Sequence, residues 1–212
     1  MPGKYNRKDH FYKAAKSEGF RSRAAYKLIE LNQKAKVLRK GAAVLDLGAA
    51  PGGWLQVAAM AVGSGGRVFG VDLEPIPPFS PAELKPGSAV PVTIQGDITS
   101  EAVRQQLVQR AGGQYDVVLS DMSPKLSGIR DRDIAMSVEL IAMAQDVCCA
   151  LLRPGGVMLA KVFPSNDTEE LIKSLRDSYR RIERVHPKSS RKTSRELYIV
   201  CRGFVPTREE AS

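Results

Sequence analysis

Short apolar runs alternate with helical patterns through the middle of the chain. The runs have the length and nearly continuous apolar character of strands that are buried on both faces. They are the segments 43–48, 67–74, 89–97, 115–122 and 156–163, and helical patterns cover 100–111 and 133–152. Repeated β-α units of this kind predict an α/β fold, in which helices cover both faces of a mostly parallel sheet.

Local signals place the ends of several predicted helices. The stretch 80–83 (SPAE) has the pattern of a capping box, and 153–156 (RPGG) is a stop signal for the long helix. Asp167, with Glu170 three residues later, is expected to cap a helix that runs to about Tyr179.

The end of the chain departs from the alternation. The segments 180–187 (RRIERVHP) and 195–204 (RELYIVCRGF) are both strand-like, and no helical pattern lies between them. We expect them to pair as an antiparallel hairpin at one edge of the sheet. A mostly parallel sheet with such a C-terminal hairpin is typical of the Rossmann-like methyltransferase fold, whereas simple dinucleotide-binding folds do not usually end in this way.

Length and charge predict one domain with an anionic partner. The 212 residues carry a net charge of +9, with cations concentrated in 1–41 and in the loop 186–195. Because phosphate binding is additive over cations, nucleic acid is the expected partner, and an acidic membrane surface is the alternative. We expect 1–41 to be an RNA-binding extension, 42–204 the catalytic core and 205–212 a tail.

Composition argues against several other classes of protein. No apolar run approaches the roughly 20 residues that span a bilayer, and the basic N-terminus lacks the apolar segment of a secretory signal. The cysteines (Cys148, Cys149 and Cys201) form no C-x-x-C pair, and the histidines are His10 and His186. We therefore expect a cytoplasmic monomer with reduced thiols and no metal site.

A glycine-rich turn follows the first predicted strand. Its spacing, Gly48-x-x-x-Gly52-Gly53, differs from the phosphate-binding fingerprint of dinucleotide folds. Asp72 and Asp97 follow the next two strands, whose carboxyl ends line the ligand crevice of a parallel sheet. Carboxylates without a phosphate-binding loop favour the sulfonium cofactor S-adenosylmethionine over NAD. Asp97 could instead be the N-cap of a helix.

Lys161 is an unusual residue for its position. It lies in the otherwise apolar run 156–163 (GVMLAKVF), and a buried ammonium is costly unless it is paired or neutral. A functional lysine at the carboxyl edge of the sheet is the interpretation that this pattern favours.

Five motifs occur in a characteristic order: SRAAYKL, LDLGAAPGGW, LSDMSP, AKVF and SRELYIV. Together they resemble the FtsJ (RrmJ) family of ribosomal RNA 2′-O-ribose methyltransferases over nearly the whole chain. The resemblance implies a catalytic tetrad of Lys27, Asp121, Lys161 and Glu196. It also implies cofactor contacts from Gly52, Gly53, Trp54, Asp72, Asp97 and Asp121, to which the glycine spacing adds Gly48.

The chemistry of a ribose 2′-hydroxyl explains why such residues are needed. Methyl transfer requires the hydroxyl to be aimed at the methyl carbon and to lose its proton during attack. A neutral Lys161 could be the general base, or a charged Lys161 could orient the hydroxyl and stabilise the developing alkoxide. Asp121 would orient Lys161, and Lys27 and Glu196 would hold the hydroxyl, a neighbouring phosphate and each other.

Each of these side chains also has an interpretation without function. Lys27 could be a lysine that extends to solvent at the border of an apolar helix stripe. Glu196 could be a charge that prevents the edge of the sheet from pairing with another chain. Asp121 could cap a turn, and Trp54 could simply pack in the core.

The family implies a uridine of large-subunit ribosomal RNA as the target, with the assembled particle as the substrate. A transfer RNA or messenger-cap 2′-O-methyltransferase is one alternative. A non-catalytic RNA-binding assembly factor on the same fold is another, and an NAD-linked dehydrogenase is the third.

Overall fold

The predicted strands form a single sheet. The structure is a computed structural model that describes residues 10–124, 127–187, 189 and 196–206. Within these residues the sheet has seven strands, in the order β3-β2-β1-β4-β5-β7-β6. They are β1 (Ala43–Leu47), β2 (Arg67–Asp72), β3 (Val92–Gln95), β4 (Tyr115–Ser120), β5 (Leu152–Val162), β6 (Tyr179–Val185) and β7 (Leu197–Phe204).

Pairing follows the predicted topology. The pairs among β1 to β5 are parallel, whereas β7 pairs antiparallel with both β5 and β6. The α/β fold with a C-terminal antiparallel pair is therefore confirmed. The last strand in the chain is an inner strand, and β6 is the edge.

Helices cover both faces of the sheet. Their bounds are α1 (His10–Ser17), α2 (Ala24–Ala35), α3 (Gly53–Val62), α4 (Glu101–Ala111), α5 (Arg130–Leu151) and α6 (Asn166–Ser174). Residues of α2 and α3 share one buried cluster with Val44 of β1, and residues of α4, α5 and α6 share the other with Leu45 and Leu47. Alternate side chains of one strand thus point into two separate cores.

Helix α2 comes from the basic N-terminal segment, yet it is part of the packed body. Ala25, Leu28 and Leu31 are fully buried in the same cluster as α3. Residues 1–9, most of the loop 186–195 and residues 207–212 lie outside the described residues. The RNA-binding role expected for these basic segments stays a prediction.

The predicted cap of α6 is wrong. Ser165, and not Asp167, is the N-cap, and its Oγ accepts a hydrogen bond from the backbone N–H of Thr168 at 3.0 Å. The helix ends at Ser174 instead of continuing to Tyr179, where β6 begins. Serine and aspartate are equally good N-caps, so composition alone did not separate the two positions.

Other predicted bounds differ by a few residues. Strand β4 stops at Ser120, so the predicted extension over Asp121 and Met122 is a loop at the carboxyl edge. The capping box is confirmed: the Glu83 carboxylate accepts the Ser80 N–H at 2.8 Å, at the start of a short 3₁₀ turn.

Helix α5 is more apolar than expected. By length and mean hydropathy (1.6), Asp131–Leu151 could cross a membrane, contrary to the expectation that no run approaches that length. In the fold α5 packs against β4, β5 and α6. Ile141, Ala144 and Cys148 are buried in that interface, while Asp131 and Asp146 are exposed. The helix therefore has the pattern of a core helix.

Candidate active site

Lys161 and Asp121 meet where two parallel strands end. Ser120 of β4 pairs with Ala160 of β5, so the next residue of each strand is brought to the same edge. The Lys161 Nζ lies 2.7 Å from the backbone carbonyl oxygen of Asp121 and 3.1 Å from its Oδ1. The Lys161 side chain is only 5% exposed. Its burial is thus compensated by a charge partner and a hydrogen bond, as a buried amine requires.

Tyr198 completes this contact from the other side. It is the cross-strand partner of Lys161 in the antiparallel β5–β7 pair, and its hydroxyl donates to Asp121 Oδ1 at 2.7 Å. Burial raises the pKa of the Tyr198 hydroxyl well above its usual range, and the charges of Asp121 and Glu196 raise it further. The hydroxyl therefore stays protonated and remains a donor to Asp121.

Lys27 and Glu196 form a second ion pair beside the first. The Lys27 Nζ lies 2.7 Å from Glu196 Oε1, and both side chains are largely buried. Lys27 is thus paired and does not extend into solvent. Glu196 does not guard an edge either, because it directly precedes β7, an inner strand. Glu196 lies two residues before Tyr198, which contacts Asp121 of the first pair, and its charge contributes to the raised pKa of the Tyr198 hydroxyl.

A cavity of about 440 Å³ opens at the carboxyl ends of β1, β2 and β4. Its lining includes Gly48, Asp72, Asp97 and Asp121. Asp121 therefore borders the cavity on one side and contacts Lys161 on the other. The structure brings these predicted cofactor residues together, next to the predicted catalytic lysine.

Asp72 ties together the two loops that border this cavity. Its Oδ2 accepts the backbone N–H of Ala50 at 2.8 Å, and its Oδ1 accepts that of Glu74 at 2.9 Å. Each carboxylate oxygen has a further lone pair with which it could accept a ligand hydroxyl.

Asp97 is held in a turn of its own. It accepts hydrogen bonds from the hydroxyl and the backbone N–H of Thr99, which lower its pKa. The N-cap of α4 is Ser100, so the interpretation of Asp97 as a helix cap is wrong.

Two glycines of the turn, Gly48 and Gly53, are required for different reasons. Gly48 has φ of +70°, and a Cβ there would lie 2.7 Å from the Met122 Cγ at the cavity wall. A Cβ on Gly53 would lie 2.3 Å from the Ser22 Oγ. Gly48 therefore borders the cavity, whereas Gly53 allows the start of α2 to approach α3 closely.

Trp54 lies in the core between α3 and β7. Its indole Nε1 donates to the backbone carbonyl of Ala24 at 2.8 Å, and its ring lies 5.9 Å from that of Tyr198. Neither Trp54 nor Gly52 and Gly53 line the cavity. Their predicted cofactor contacts stay predictions, while the packing of Trp54 supports α2 and the tyrosine of the site.

Asp46 is a further carboxyl that the sequence analysis missed. It lies near the carboxyl end of β1, it is 1% exposed, and its Oδ2 has no hydrogen-bond partner among the described residues. Burial raises its pKa well above the usual range, and the charges of Asp121 and Asp72 raise it further. The signal was available, because a carboxylate in an apolar run is as anomalous as the lysine of β5.

The described residues fit S-adenosylmethionine as a ligand. The cavity has the carboxylates of Asp72 and Asp97 as acceptors for hydroxyl and amino groups, and their negative charge favours a cationic ligand. Asp121, at its inner side, joins this cavity to the Lys161 ammonium. A methyl donor held there would face the buried lysine.

The family model and the curated relatives of this chain agree on one family. The FtsJ-like methyltransferase family matches residues 20–204. A protein of Methanothermobacter thermautotrophicus named ribosomal RNA large subunit methyltransferase E is 44% identical, over 93% of this chain and 90% of its own length. A protein of the same name from Marinobacter nauticus is 42% identical, over 92% of this chain and 91% of its own length.

Solved structures agree with the fold. A candidate ribosomal RNA methyltransferase from Plasmodium falciparum is similar with a TM-score of 0.76 and 28% identity, over 89% of this chain and all of that one. A fibrillarin/Nop5p complex is similar with a TM-score of 0.58, at 15% identity over 87% of this chain and 85% of the other, which indicates a shared fold alone.

Proposed function

Because the chain belongs to the FtsJ-like methyltransferase family, we propose that it methylates a ribose 2′-hydroxyl of large-subunit ribosomal RNA, using S-adenosylmethionine. The observation that carries the proposal is the contact between Lys161 and Asp121 at the inner side of the cavity. The relatives named as large-subunit methyltransferases support the choice of ribosomal RNA.

In this proposal Lys161 is the general base. S-adenosylmethionine, when bound, supplies an electrophilic methyl group. Asp121 accepts two N–H bonds of the Lys161 amine, one at its backbone carbonyl and one at its carboxylate. The remaining position on nitrogen faces the substrate. In a neutral amine that position is a lone pair, which accepts the hydroxyl proton as oxygen attacks.

Asp121 and Tyr198 keep Lys161 in place. With Lys161 and Tyr198 both directed at its Oδ1, the carboxylate cannot rotate without losing a buried contact. Lys27 and Glu196, paired at 2.7 Å, would bind the ribose and its phosphate. Lys27 would bind the phosphate through its positive charge, and Glu196 would accept a hydrogen bond from a ribose hydroxyl.

The proposed target is a uridine on the assembled large subunit, approached by a cytoplasmic monomer. The test is incubation of the protein with labelled S-adenosylmethionine and large subunits from a strain that lacks the modification, followed by nuclease mapping. We expect one labelled 2′-O-methyluridine in the large-subunit RNA. Label in transfer RNA or at a messenger cap, or no label at all, would overturn the proposal.

A second measurement separates catalysis from simple RNA binding. Isothermal titration with S-adenosylmethionine should show one binding site per chain. An absence of binding, together with retained affinity for ribosomal particles, would indicate a non-catalytic assembly factor.

The protonation state of Lys161 is tested by the pH dependence of the rate of methyl transfer. An ionisation that disappears when Lys161 is replaced supports the general base. A rate with no such ionisation would indicate that a charged Lys161 orients the hydroxyl instead.

A further inference from the structure

The Arg21 side chain makes an unusually complete set of contacts for a residue in a basic segment. A guanidinium has five N–H donors, and those of Arg21 have five hydrogen bonds. Two go to the carboxylate of Glu83, at 2.7 and 3.2 Å. The others go to the backbone carbonyls of Pro51, Pro77 and Pro78. The guanidinium carbon also lies 3.6 Å from the centre of the Phe79 ring.

These acceptors belong to the two loops that border the cofactor cavity. Pro51 lies in the glycine-rich turn after β1. Pro77, Pro78 and Glu83 lie in the connection after β2, whose first residues, Leu73 and Glu74, line the cavity. Arg21 therefore connects the glycine-rich turn to the connection after β2, and each of these segments contributes residues to the cavity lining.

The composition of the second loop explains why it depends on an external donor. Prolines have no backbone N–H and cannot pair in a sheet, so the 75–81 segment (PIPPFSP) cannot organise itself through a ladder of hydrogen bonds. Its carbonyls are satisfied by the Arg21 fork instead.

Gln56 of α3 supports the same junction. Its side-chain amide donates to the carbonyls of Gly19 and Glu83, both at 2.9 Å, and its oxygen accepts the Arg21 N–H at 2.8 Å. A Cβ on Gly52 would lie 2.7 Å from the Phe79 Cζ and 3.2 Å from the Arg21 Cδ. The glycine at 52 is therefore needed for the approach of these side chains to the turn.

Arg21 is not placed to bind RNA phosphate. Its side chain is 10% exposed, and all of its donors are engaged within the protein. Its hydrogen bonds to Glu83, together with the Ser80 N–H, lower the pKa of that carboxyl to about 2. The ion pair is thus intact over the whole physiological pH range.

We propose that Arg21 is a positioning residue that holds the two walls of the cofactor cavity in their binding-competent arrangement. The inference rests on the proposed function in that the ligand is S-adenosylmethionine. Helix α2, which begins three residues later and carries Lys27, has its own attachment through the bond between Trp54 and Ala24. Loss of the Arg21 fork should therefore weaken cofactor binding more than it slows the chemical step.

The test compares Arg21→Lys with Arg39→Lys. Lysine keeps the charge but cannot form the planar fork. Arg39 is a matched control, because it pairs with the carboxylate of Asp116 near the opposite end of the sheet. By isothermal titration we expect Arg21→Lys to raise the Kd for S-adenosylmethionine about tenfold or more, and Arg39→Lys to change it less than twofold. At saturating cofactor, kcat of Arg21→Lys should stay within about threefold of the wild type.

Hydrogen–deuterium exchange without cofactor gives an independent readout. Residues 74–89 should exchange faster in Arg21→Lys than in the wild type, whereas Arg39→Lys should leave this segment unchanged. Should Arg21→Lys fail to fold, Glu83→Gln removes the charged acceptor of the same pair. We expect this variant to raise the Kd for S-adenosylmethionine and the exchange rate of residues 74–89 as well, but by a smaller amount.

Each outcome decides a separate question. Failure of the wild type to bind S-adenosylmethionine contradicts the proposed function, while the exchange comparison still tests Arg21. Wild-type binding with an unchanged Kd in Arg21→Lys overturns the positioning role. An equal loss of affinity in both variants also overturns it, because a general loss of stability would then explain the result.

Discussion

The two ends of the sheet hold their buried carboxylates in different ways. Near the amino ends of the strands, Asp116 has more donors than it needs. Its Oδ2 accepts the backbone N–H of Ala43 at 2.8 Å, and its Oδ1 accepts from Arg153 at 2.7 Å and from Arg39. Burial alone would raise the pKa of Asp116, but these donors lower it below its usual value.

Carboxyls are in excess at the opposite end. Asp46, Asp72 and Asp121 lie at or near the carboxyl ends of adjacent strands, and their charges act on one another. Asp46 is held with a raised pKa and an oxygen that has no partner among the described residues. This local excess of acid occurs in a chain whose net charge is +9.

The difference separates a structural site from a binding site. At the amino end the carboxylate of Asp116 is compensated by a backbone N–H and two arginines of the fold itself. At the carboxyl end burial and neighbouring carboxylates raise the pKa of Asp46, and Asp72, Asp97 and Asp121 line a cavity in which their remaining lone pairs could accept hydrogen bonds from a ligand. A cation with hydroxyl and amino groups is the complementary ligand, and the net charge of the chain alone would not have indicated it.

The largest expected effect comes from removing the buried lysine that contacts Asp121. Lys161→Ala should lower kcat about 10³-fold, since both proton transfer and orientation of the hydroxyl are lost. Methylation of undermethylated large subunits measures it. Lys173→Ala, at an exposed lysine of α6, is the control and should retain full activity. Near-normal activity in Lys161→Ala would remove the lysine from the mechanism.

Tyr198→Phe tests whether the hydroxyl network matters beyond packing. The ring can keep its place against Trp54, but Asp121 loses the 2.7 Å bond. We expect kcat to fall about tenfold, at little cost in Tm. Tyr179→Phe removes a hydroxyl buried in the core on the other face and should leave kcat unchanged. Equal kinetics for the two variants would contradict a role for the Tyr198 hydroxyl.

Asp116→Asn tests the amino end. Its carboxylate has a lowered pKa in the folded state, so it contributes stability above the unfolded pKa of about 3.9 and loses it as the pH falls through the folded value. The variant should be about 1–2 kcal/mol less stable at pH 7. Urea unfolding as a function of pH should show that the difference in free energy of unfolding between the wild type and the variant disappears in acid. A difference that is constant with pH would be contrary evidence.

Asp46→Asn should raise the stability of the protein, whereas Asp116→Asn lowers it. Its effect should be the smallest of the four. The raised pKa of Asp46 means that its contribution to stability is present at low pH and is lost as the pH rises through the folded value. Asparagine avoids that loss, so the variant should gain about 2–4 °C in Tm at neutral to alkaline pH and nothing in acid. A lower Tm at every pH would show that the carboxyl is well accommodated.

The sequence was sufficient to predict the strands and the side chains that meet at the carboxyl end of the sheet. Lys161 was identified because an ammonium in an apolar strand is costly, and that argument depends only on residue type and pattern. Parallel β-α units then place Asp121 at the same edge. The four residues of the predicted tetrad form two ion pairs, as the expected pairing of opposite charges requires.

Other features depend on approaches that the chain makes through space. Tyr198 acts across an antiparallel register, and Arg21 acts on loops 30 to 62 residues away in sequence. The need for glycine at 52 comes from Phe79 and Arg21, and the need for glycine at 53 comes from Ser22 in the segment before α2. These contacts cannot be predicted from the local sequence pattern, because they join residues that are far apart in the chain.

The position of β7 has a consequence for synthesis of the protein. This strand lies between β5 and β6, and it carries Tyr198 opposite Lys161, with Glu196 just before it. A nascent chain that has translated only as far as β6 contains the cavity, the glycine turn and Lys161, yet it lacks two of the side chains that hold the site. A chain that terminates before residue 196 would therefore lack the strand that pairs with β5, together with the Glu196 and Tyr198 side chains that contact Lys27 and Asp121. The predicted site can therefore be complete only after β7, the last of the seven described strands to be synthesised, has paired with β5.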